Sequence, residues 1–302
     1  MLRLIARALA CKRHSLRGGS RATINRLTTD IQCEASKLLM TALTYSFIIP
    51  AYNESERLAV SLPKVVEYID RQKFQSEIIV VNDGSTDTTA EVVRRFAQSD
   101  PIVRLLENAG NRGKGYSVRN GMLHANGDVM LFTDADLSSP LEEAGKLFEA
   151  IEQGADVAIG SRWLRSELQT ERQPWFRQLY GRLFNLALRV VLGLKYRDTQ
   201  CGFKAFTRGA AQTVFSRQRI ERWGFDPELL FLANKFRLRT AEVPVQWAHD
   251  HRSKISPLRD GIKMGVEMLS VRWNDLKGLY RKPSIVAAEV ATESPAPVQT
   301  AK

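Results

Sequence analysis

The chain is predicted to be an α/β protein built on a mainly parallel sheet with flanking helices. Three observations predict it. Short apolar runs of strand length recur at Tyr45-Ser-Phe-Ile-Ile-Pro50, Glu77-Ile-Ile-Val-Val-Asn82 and Val129-Met-Leu-Phe132. Segments whose apolar residues have helical spacing alternate with them. The second run is apolar throughout, as parallel strands buried on both faces are. Such strand–helix alternation implies parallel pairing through right-handed crossovers.

Taken in order, Pro50 stops the first strand, and a helix follows near Glu56–Arg71 with Leu58, Leu62, Val65, Val66 and Ile69 on one face. After the second strand, Asp83-Gly-Ser-Thr-Asp87 reads as a turn, with Asp87 as N-cap of the next helix. Ile102–Leu106 is a third strand, and Asn111-Arg-Gly-Lys-Gly115 a glycine-rich turn into a helix reaching about Asn126. The fourth strand is Val129–Phe132, followed by a helix at Leu141–Gln153 and a strand at Asp156–Gly160.

The pattern then changes. Trp175–Leu194 reads as a long apolar-basic helix, and Asp198–Phe206 as a loop entering a strand. Asp226–Phe236 is a helix and Thr240–Trp247 a β-like edge containing Pro244. In Leu258–Tyr280, Leu258, Ile262, Val266, Leu269, Trp273, Leu276 and Tyr280 share one side, while Arg259, Lys263, Arg272 and Lys277 lie elsewhere. A basic amphipathic helix with Trp fits a membrane interface. It fits equally a core helix with a solvated basic face.

With 302 residues, the chain suits one large α/β domain or two small ones. The formal net charge is +11, and Arg162–Arg222 holds 13 Lys/Arg against 4 Asp/Glu. That balance suits nucleic acid, an anionic membrane surface or phosphorylated substrates, but no aromatic-basic RNA motif accompanies it. Cys11, Cys33 and Cys201 have neither metal spacing nor a disulfide framework, which fits a reducing compartment. No stretch reaches the roughly 18 apolar residues of a spanning helix. Residues 1–39 are basic and acid-poor, as a transit peptide is. The alternative is a disordered extension before a true start at Met40. The expected domains are this leader, a folded domain over 40–250, a basic amphipathic membrane-associating segment over 251–282, and a disordered tail over 283–302.

The candidate chemistry centres on Asp134 and Asp136, just beyond the fourth strand. Residues two apart on a strand point the same way, so both carboxylates are expected to face the sheet's carboxyl edge, where α/β sheets bind ligands. Two hard oxygen donors suit Mg²⁺ or Mn²⁺ sharing a substrate phosphate. Alone, an Asp-x-Asp also fits an acidic turn capping a helix near Pro140. Neighbouring strand ends add to the site. Pro50, Tyr52 and Glu54 bring an aromatic and a carboxylate, and Asp83 an acceptor for a base N–H or ribose hydroxyl. Gly113, Lys114 and Gly115 would let backbone approach a ligand, with a helix N-terminus behind. Together these describe a nucleoside-diphosphate pocket. It is neither a Walker loop nor a Gly-x-Gly-x-x-Gly fingerprint.

Those motifs carry a resemblance. Pro50-Ala-Tyr-Asn-Glu54, Asn82-Asp-Gly-Ser-Thr-Asp87, Asn111-Arg-Gly-Lys-Gly115 and Asp134-Ala-Asp-Leu-Ser-Ser-Pro140 resemble those of inverting glycosyltransferases of family 2. Gly160-Ser-Arg162, Asp198-Thr-Gln-Cys-Gly-Phe-Lys204, Phe225-Asp-Pro-Glu-Leu229, Glu242-Val-Pro-Val-Gln-Trp247 and Ser253-Lys-Ile255 resemble the dolichyl-phosphate β-glucosyltransferase branch more than the dolichol-phosphate mannose synthase branch. The resemblance implies a GT-A-type domain with C-terminal amphipathic helices. It also implies glucose transfer from UDP-glucose to a polyprenyl monophosphate at the cytoplasmic face of a membrane, with Mg²⁺ or Mn²⁺ at Asp134 and Asp136. Arg162, Arg182 and Lys254 become the candidates for holding the acceptor phosphate.

Several features depart from the pattern. Asn82 stands where the family often has aspartate, and the eukaryotic relatives carry an N-terminal span. Attachment here is expected from the helices near 175–194 and 258–280. His249 and His251 are read as surface residues, and Asp198 and Asp226 as alternative bases or supporting groups. The rival enzymatic readings use another donor, GDP-mannose, or a saccharide acceptor. Processive synthases carry Gln-x-x-Arg-Trp, whereas Gln218 precedes Arg222-Trp223 by four. A sugar nucleotidyltransferase would need a glycine-rich loop after Phe47-Ile-Ile. A non-catalytic membrane scaffold would not need Asp134, Asp136 and Arg162.

Overall fold

The computed structural model describes residues 43–165, 175–248 and 257–283, with backbone alone for 175–182, 184 and 257–262. The leader, the tail, His249, His251 and Lys254 lie outside the described residues, as does the Arg182 side chain.

The elements run β1 (Thr44–Ala51), α1 (Ser55–Gln72), β2 (Gln75–Asn82), α2 (Thr89–Ser99), β3 (Val103–Glu107), α3 (Lys114–His124) and β4 (Val129–Phe132). A 3₁₀ turn (Leu141–Glu143) leads into α4 (Ala144–Glu152) and β5 (Val157–Ser161). There follow α5 (Trp175–Leu192), β6 (Lys204–Thr207), α6 (Arg208–Phe215), α7 (Phe225–Lys235), β7 (Thr240–Pro244), α8 (Pro257–Leu276) and a last 3₁₀ turn (Leu279–Arg281).

The strands form one sheet in the order β3-β2-β1-β4-β6-β5-β7. β3, β2, β1 and β4 are parallel, with Pro50 opposite Val81 and Ile48 opposite Phe132. β6 runs antiparallel between β4 and β5, and β7 pairs parallel with β5. Two antiparallel steps restore direction, so β5 ends on the same edge as β1, β2 and β4.

Strand residues alternate between two apolar layers. Ile48, Ile79, Met130, Phe132 and Ile159 face α3, α6 and α7, where Val118, Met122, Phe215 and Leu229 are fully buried. Tyr45 and Phe47 face the other side, packing on Tyr68 of α1 and Phe148 of α4. Burying one large apolar side chain stabilises by ~1.5–3 kcal/mol, so these layers fix the strand register. A one-residue slip would exchange the faces.

Three readings of the elements change. Pro50 does not stop the first strand: it pairs with Val81, and β1 runs on to Ala51. α2 starts after Asp87, with Thr88 at the cap position, yet Asp87 Oδ1 still accepts the Thr89 amide at 3.0 Å. Tyr280 leaves the amphipathic side because α8 stops at Leu276. Gly278, at φ 69°, turns the chain back and buries Tyr280 completely.

Candidate active site

A cleft of about 660 Å³ lies along the carboxyl edge of β1, β2, β4 and β5. Pro50, Tyr52, Glu54, Asp83, Gly113, Lys114, Asp134, Asp136 and Arg162 all line it. Sequence reasoning picked out those residues. It passed over Arg57, Trp223, Trp247 and Met264 as cleft residues, noting Arg222 and Trp223 only for their spacing from Gln218.

The two aspartates converge by a different route from the one expected. β4 ends at Phe132, so neither lies on the strand. The chain instead curls in a turn closed by the Leu137 amide donating to the Asp134 carbonyl at 3.1 Å, with Leu137 at φ 51°. Asp136 Oδ1 accepts the Ser138 amide at 2.9 Å. Asp134 pairs with the Lys114 ammonium and lies against Gly202. Burial pushes the Lys114 pKa down, but Asp134 and Asp226 outweigh it and raise it overall. Behind them, Asp226 pairs with the fully buried Lys204. Burial pushes the Asp226 carboxyl up, and Lys204 and Lys114 work against that shift.

The donor set fits a divalent cation only in part-protein form. Asp134 and Asp136 offer hard oxygens at one turn. Among the described residues no group of three or more His, Cys, Asp and Glu could hold a metal. Remaining ligands would come from a substrate or water, the usual arrangement for Mg²⁺.

The glycine-rich loop also works differently from expectation. A Cβ at Gly113 would meet the Glu221 carbonyl at 2.6 Å, and one at Gly115 the Ile220 carbonyl at 2.7 Å. The glycines therefore admit the segment 218–225, while Gly113 also lines the cleft. The Gly115 and Tyr116 amides at the start of α3 donate to the carbonyls of Arg222 (3.2 Å) and Glu221 (2.9 Å). Two of the amides at that helix N-terminus are thus taken by the protein's own backbone. Gln218 Nε2 reinforces the join by donating to the carbonyls of Gly115 (2.8 Å) and Ile220 (2.9 Å).

Asp83 holds the loop from the other side. Its Oδ1 accepts from Asn108 Nδ2 (2.8 Å) and the Arg112 amide (2.9 Å), and its Oδ2 from the Gly113 amide (2.8 Å). A carboxylate has about four lone-pair sites, so three donors leave room for one ligand hydrogen bond. Glu54 receives Arg57 Nη1 on both oxygens, at 2.8 and 2.7 Å. Asn82, in place of the familiar aspartate, caps its turn by accepting the Ser85 amide at 3.1 Å.

Arg162 follows β5 and is gripped by Asp198, Nε to Oδ2 at 2.7 Å and Nη2 to Oδ1 at 2.9 Å. Burial raises the Asp198 pKa, but Arg162 outweighs it and the carboxyl lies below its ordinary value. Asp198 is therefore a holder of Arg162, not a base. The Trp247 ring centroid stands 5.4 Å from the guanidinium carbon. Burial pushes the Cys201 thiol up to about 12, which leaves it inert.

The Glycosyl transferase family 2 model matches residues 46–215. The chain is 39% identical over 248 residues to a dolichyl-phosphate beta-glucosyltransferase of Trichomonas vaginalis, covering 78% of this chain and 72% of that protein. To the human dolichyl-phosphate beta-glucosyltransferase it is 37% identical over 251 residues, covering 78% and 77%. To the Saccharomyces cerevisiae one it is 34% identical over 257 residues, covering 78% and 76%. Its fold is similar to that of glucosyl-3-phosphoglycerate synthase from Mycobacterium tuberculosis, solved with Mn²⁺, uridine diphosphate and glucosyl-3-phosphoglycerate. That match has a TM-score of 0.59 at 21% identity and covers 83% of this chain and 84% of the other. Mannosyl-3-phosphoglycerate synthase from Rubrobacter xylanophilus is similar at a TM-score of 0.58 and 18% identity, covering 83% and 79%.

Proposed function

Because the chain belongs to glycosyl transferase family 2 and has the GT-A fold, we propose that it transfers glucose from UDP-glucose to a polyprenyl, dolichyl-type monophosphate. The anomeric carbon inverts, giving a β-linked lipid-phosphate sugar. One observation carries the reading: the two aspartates, the nucleotide-side residues and Arg162 line a single cleft. Its agreement with the names of relatives 34–39% identical to this chain supports the same choice.

In this reading Pro50, Tyr52, Glu54 and Asp83 receive the uridine, and Lys114 faces the diphosphate. Asp134 and Asp136 would hold Mg²⁺ or Mn²⁺, which when bound stabilises charge on the leaving diphosphate. Arg162, fixed by Asp198, orients the acceptor phosphate through its planar fork. Arg182 and Lys254 are further acceptor-side candidates. A phosphomonoester is already anionic near neutral pH, its second pKa being about 6. One of its oxygens bonds to the glucose C1 as the C1–O bond to the diphosphate breaks, and UDP departs with the electron pair. No general base is required. Asp198 and Asp226, the carboxylates considered for one, are committed to Arg162 and Lys204.

The acceptor lipid must be met at a surface. Among the described residues no helix is long and apolar enough to cross a membrane. α5 and α8 pack together. α5 exposes Leu183, Leu186 and Val190, and α8 exposes Val266, Leu269, Trp273 and Leu276, with Lys263, Arg272 and Lys277 exposed among them. This face suits peripheral attachment to an anionic bilayer at its cytoplasmic side. We assign the transferase domain to 40–250 and the membrane-associating segment to 251–282.

Radiolabelled sugar transfer into organic-extractable lipid tests the proposal, with UDP-glucose and GDP-mannose offered separately alongside polyprenyl phosphate and Mg²⁺ or Mn²⁺. Metal-dependent glucose transfer that is lost in Asp136→Ala is expected. Mannose transfer would overturn the donor, and no lipid product from either sugar would overturn the acceptor.

A further inference from the structure

The segment between α6 and α7, with the first turn of α7, forms one wall of the cleft through Arg222, Trp223 and Asp226. Its first half is fixed from within. Glu228, fully buried on α7, accepts the amides of Arg219 (3.0 Å) and Ile220 (2.9 Å). The Glu221 carboxylate sits between Arg112 (3.2 Å) and Arg119 (3.1 Å). Its second half leans on α8. Glu267 Oε2 accepts the Gly224 amide at 2.6 Å, where α7 begins.

The fit there is close. A Cβ at Gly224 would stand 2.7 Å from Glu267 Oε2 and 2.8 Å from its Cβ. Gly224 has φ −77°, a conformation open to any residue, so glycine is required for space. Glu267 is half-buried, while Val266 beside it points outward on the exposed apolar face. One turn earlier Met264 lines the cleft. The inner side of α8 is thus itself part of the site, and Gly224 lies between Trp223 and Asp226, which line the cleft.

We propose that Glu267 is a positioning residue. By receiving the Gly224 amide it fixes how Arg222, Trp223 and Asp226 are presented to the donor, so α8 sets the shape of the donor pocket as well as carrying the outer face. This rests on the reading of the cleft as the UDP-glucose site. The donor is the affected substrate because the segment abuts Lys114, whose ammonium lies 5.7 Å from the Trp223 ring centroid. Arg162 and Trp247 line the cleft from other segments, beyond β5 and β7.

The test compares wild type with Glu267→Gln, Glu267→Ala and Gly224→Ala. It measures donor and acceptor KM, kcat, UDP-glucose binding by calorimetry without acceptor, and thermal unfolding. Glu267→Ala and Gly224→Ala are expected to raise donor KM and Kd about tenfold while acceptor KM stays within about twofold. Glu267→Gln keeps an acceptor oxygen and should restore donor binding to within about threefold of wild type. Unchanged donor binding in Glu267→Ala would overturn the proposal. So would parallel losses for donor, acceptor and thermal stability that Gln does not rescue, since those mark a structural role alone. If wild type binds UDP-glucose but transfers nothing, the transfer reaction fails and the calorimetry still decides the role of Glu267. Wild type that binds no UDP-glucose overturns both.

Discussion

Asp198 takes both arms of the Arg162 fork and also the Arg162 amide, at 3.1 Å, so one carboxylate fixes the side chain and backbone of the same residue. Its own amide is held by Glu242 Oε1 at 2.8 Å, which ties the pair to β7.

Removing Asp198 takes its charged hydrogen bonds from a guanidinium that still reaches the cleft, a loss worth ~1.5–3 kcal/mol in comparable cases. Asp198→Ala is expected to lower unfolding free energy by about that much, measured by urea titration. Arg162→Lys removes the fork and keeps the charge, so it should raise acceptor KM and leave donor KM unchanged. The depressed Asp198 pKa gives stability that is present above the unfolded carboxyl value and lost as pH falls through the folded one.

Gly202 guards Asp134. A Cβ there would lie 2.6 Å from Asp134 Oδ2. Gly202→Ala is expected to cut glucose transfer by about a hundredfold by shifting that carboxylate, with unfolding changed by less than about 1 kcal/mol. Transfer rates at matched metal concentrations, paired with thermal melts, check it.

Glu228 contributes to stability with the opposite sign of pH dependence. Burial pushes its carboxyl up to about 7, against hydrogen bonds from Tyr280, Ile220 and Arg219. The folded state then holds the proton more tightly than the unfolded chain, whose carboxyl titrates near 4.5. This contribution is complete below that value and is lost as pH rises through about 7. Relative to Glu228→Gln, wild type should lose roughly 3 kcal/mol of stability between acid and neutral pH in urea unfolding.

The outer faces of α5 and α8 make a prediction independent of catalysis. A charge at Leu269 or Leu186, both more than half exposed, meets water in the free protein but hydrocarbon on a bilayer. Leu269→Glu and Leu186→Glu should each leave melting temperature unchanged. Each should release the protein from anionic vesicles, read by co-sedimentation.

Much of this molecule is legible in the residues. β4 spans the predicted Val129–Phe132 because a short, wholly apolar run has one place to go in a parallel sheet. Asp83, Asp134, Asp136 and Arg162 share an edge because parallel strands share an end. The antiparallel β6 is legible only as a loop entering some strand, since its direction is set by β4 and β5 and not by its own four residues. α6 escapes for a similar reason: at eight residues it is short, and Ala210, Ala211, Val214 and Phe215 are buried by tertiary packing. The glycine-rich loop is legible only in part. Its composition marks close backbone approach correctly, but says nothing of what approaches. The partner is more than a hundred residues away in sequence, Gln218 lying 103 positions after Gly115.

That separation bears on how the site comes into being. The first β-α-β units contain the carboxylates, yet the start of α3 keeps two unmet amides until residues 218–222 arrive. Closing so long a loop costs entropy that local contacts do not repay, which slows the step. During synthesis the cleft is therefore completed late, after most of the sheet has emerged. A fragment ending at Phe215, which also lacks the α7 layer against Ile48 and Phe132, is expected to bind no nucleotide.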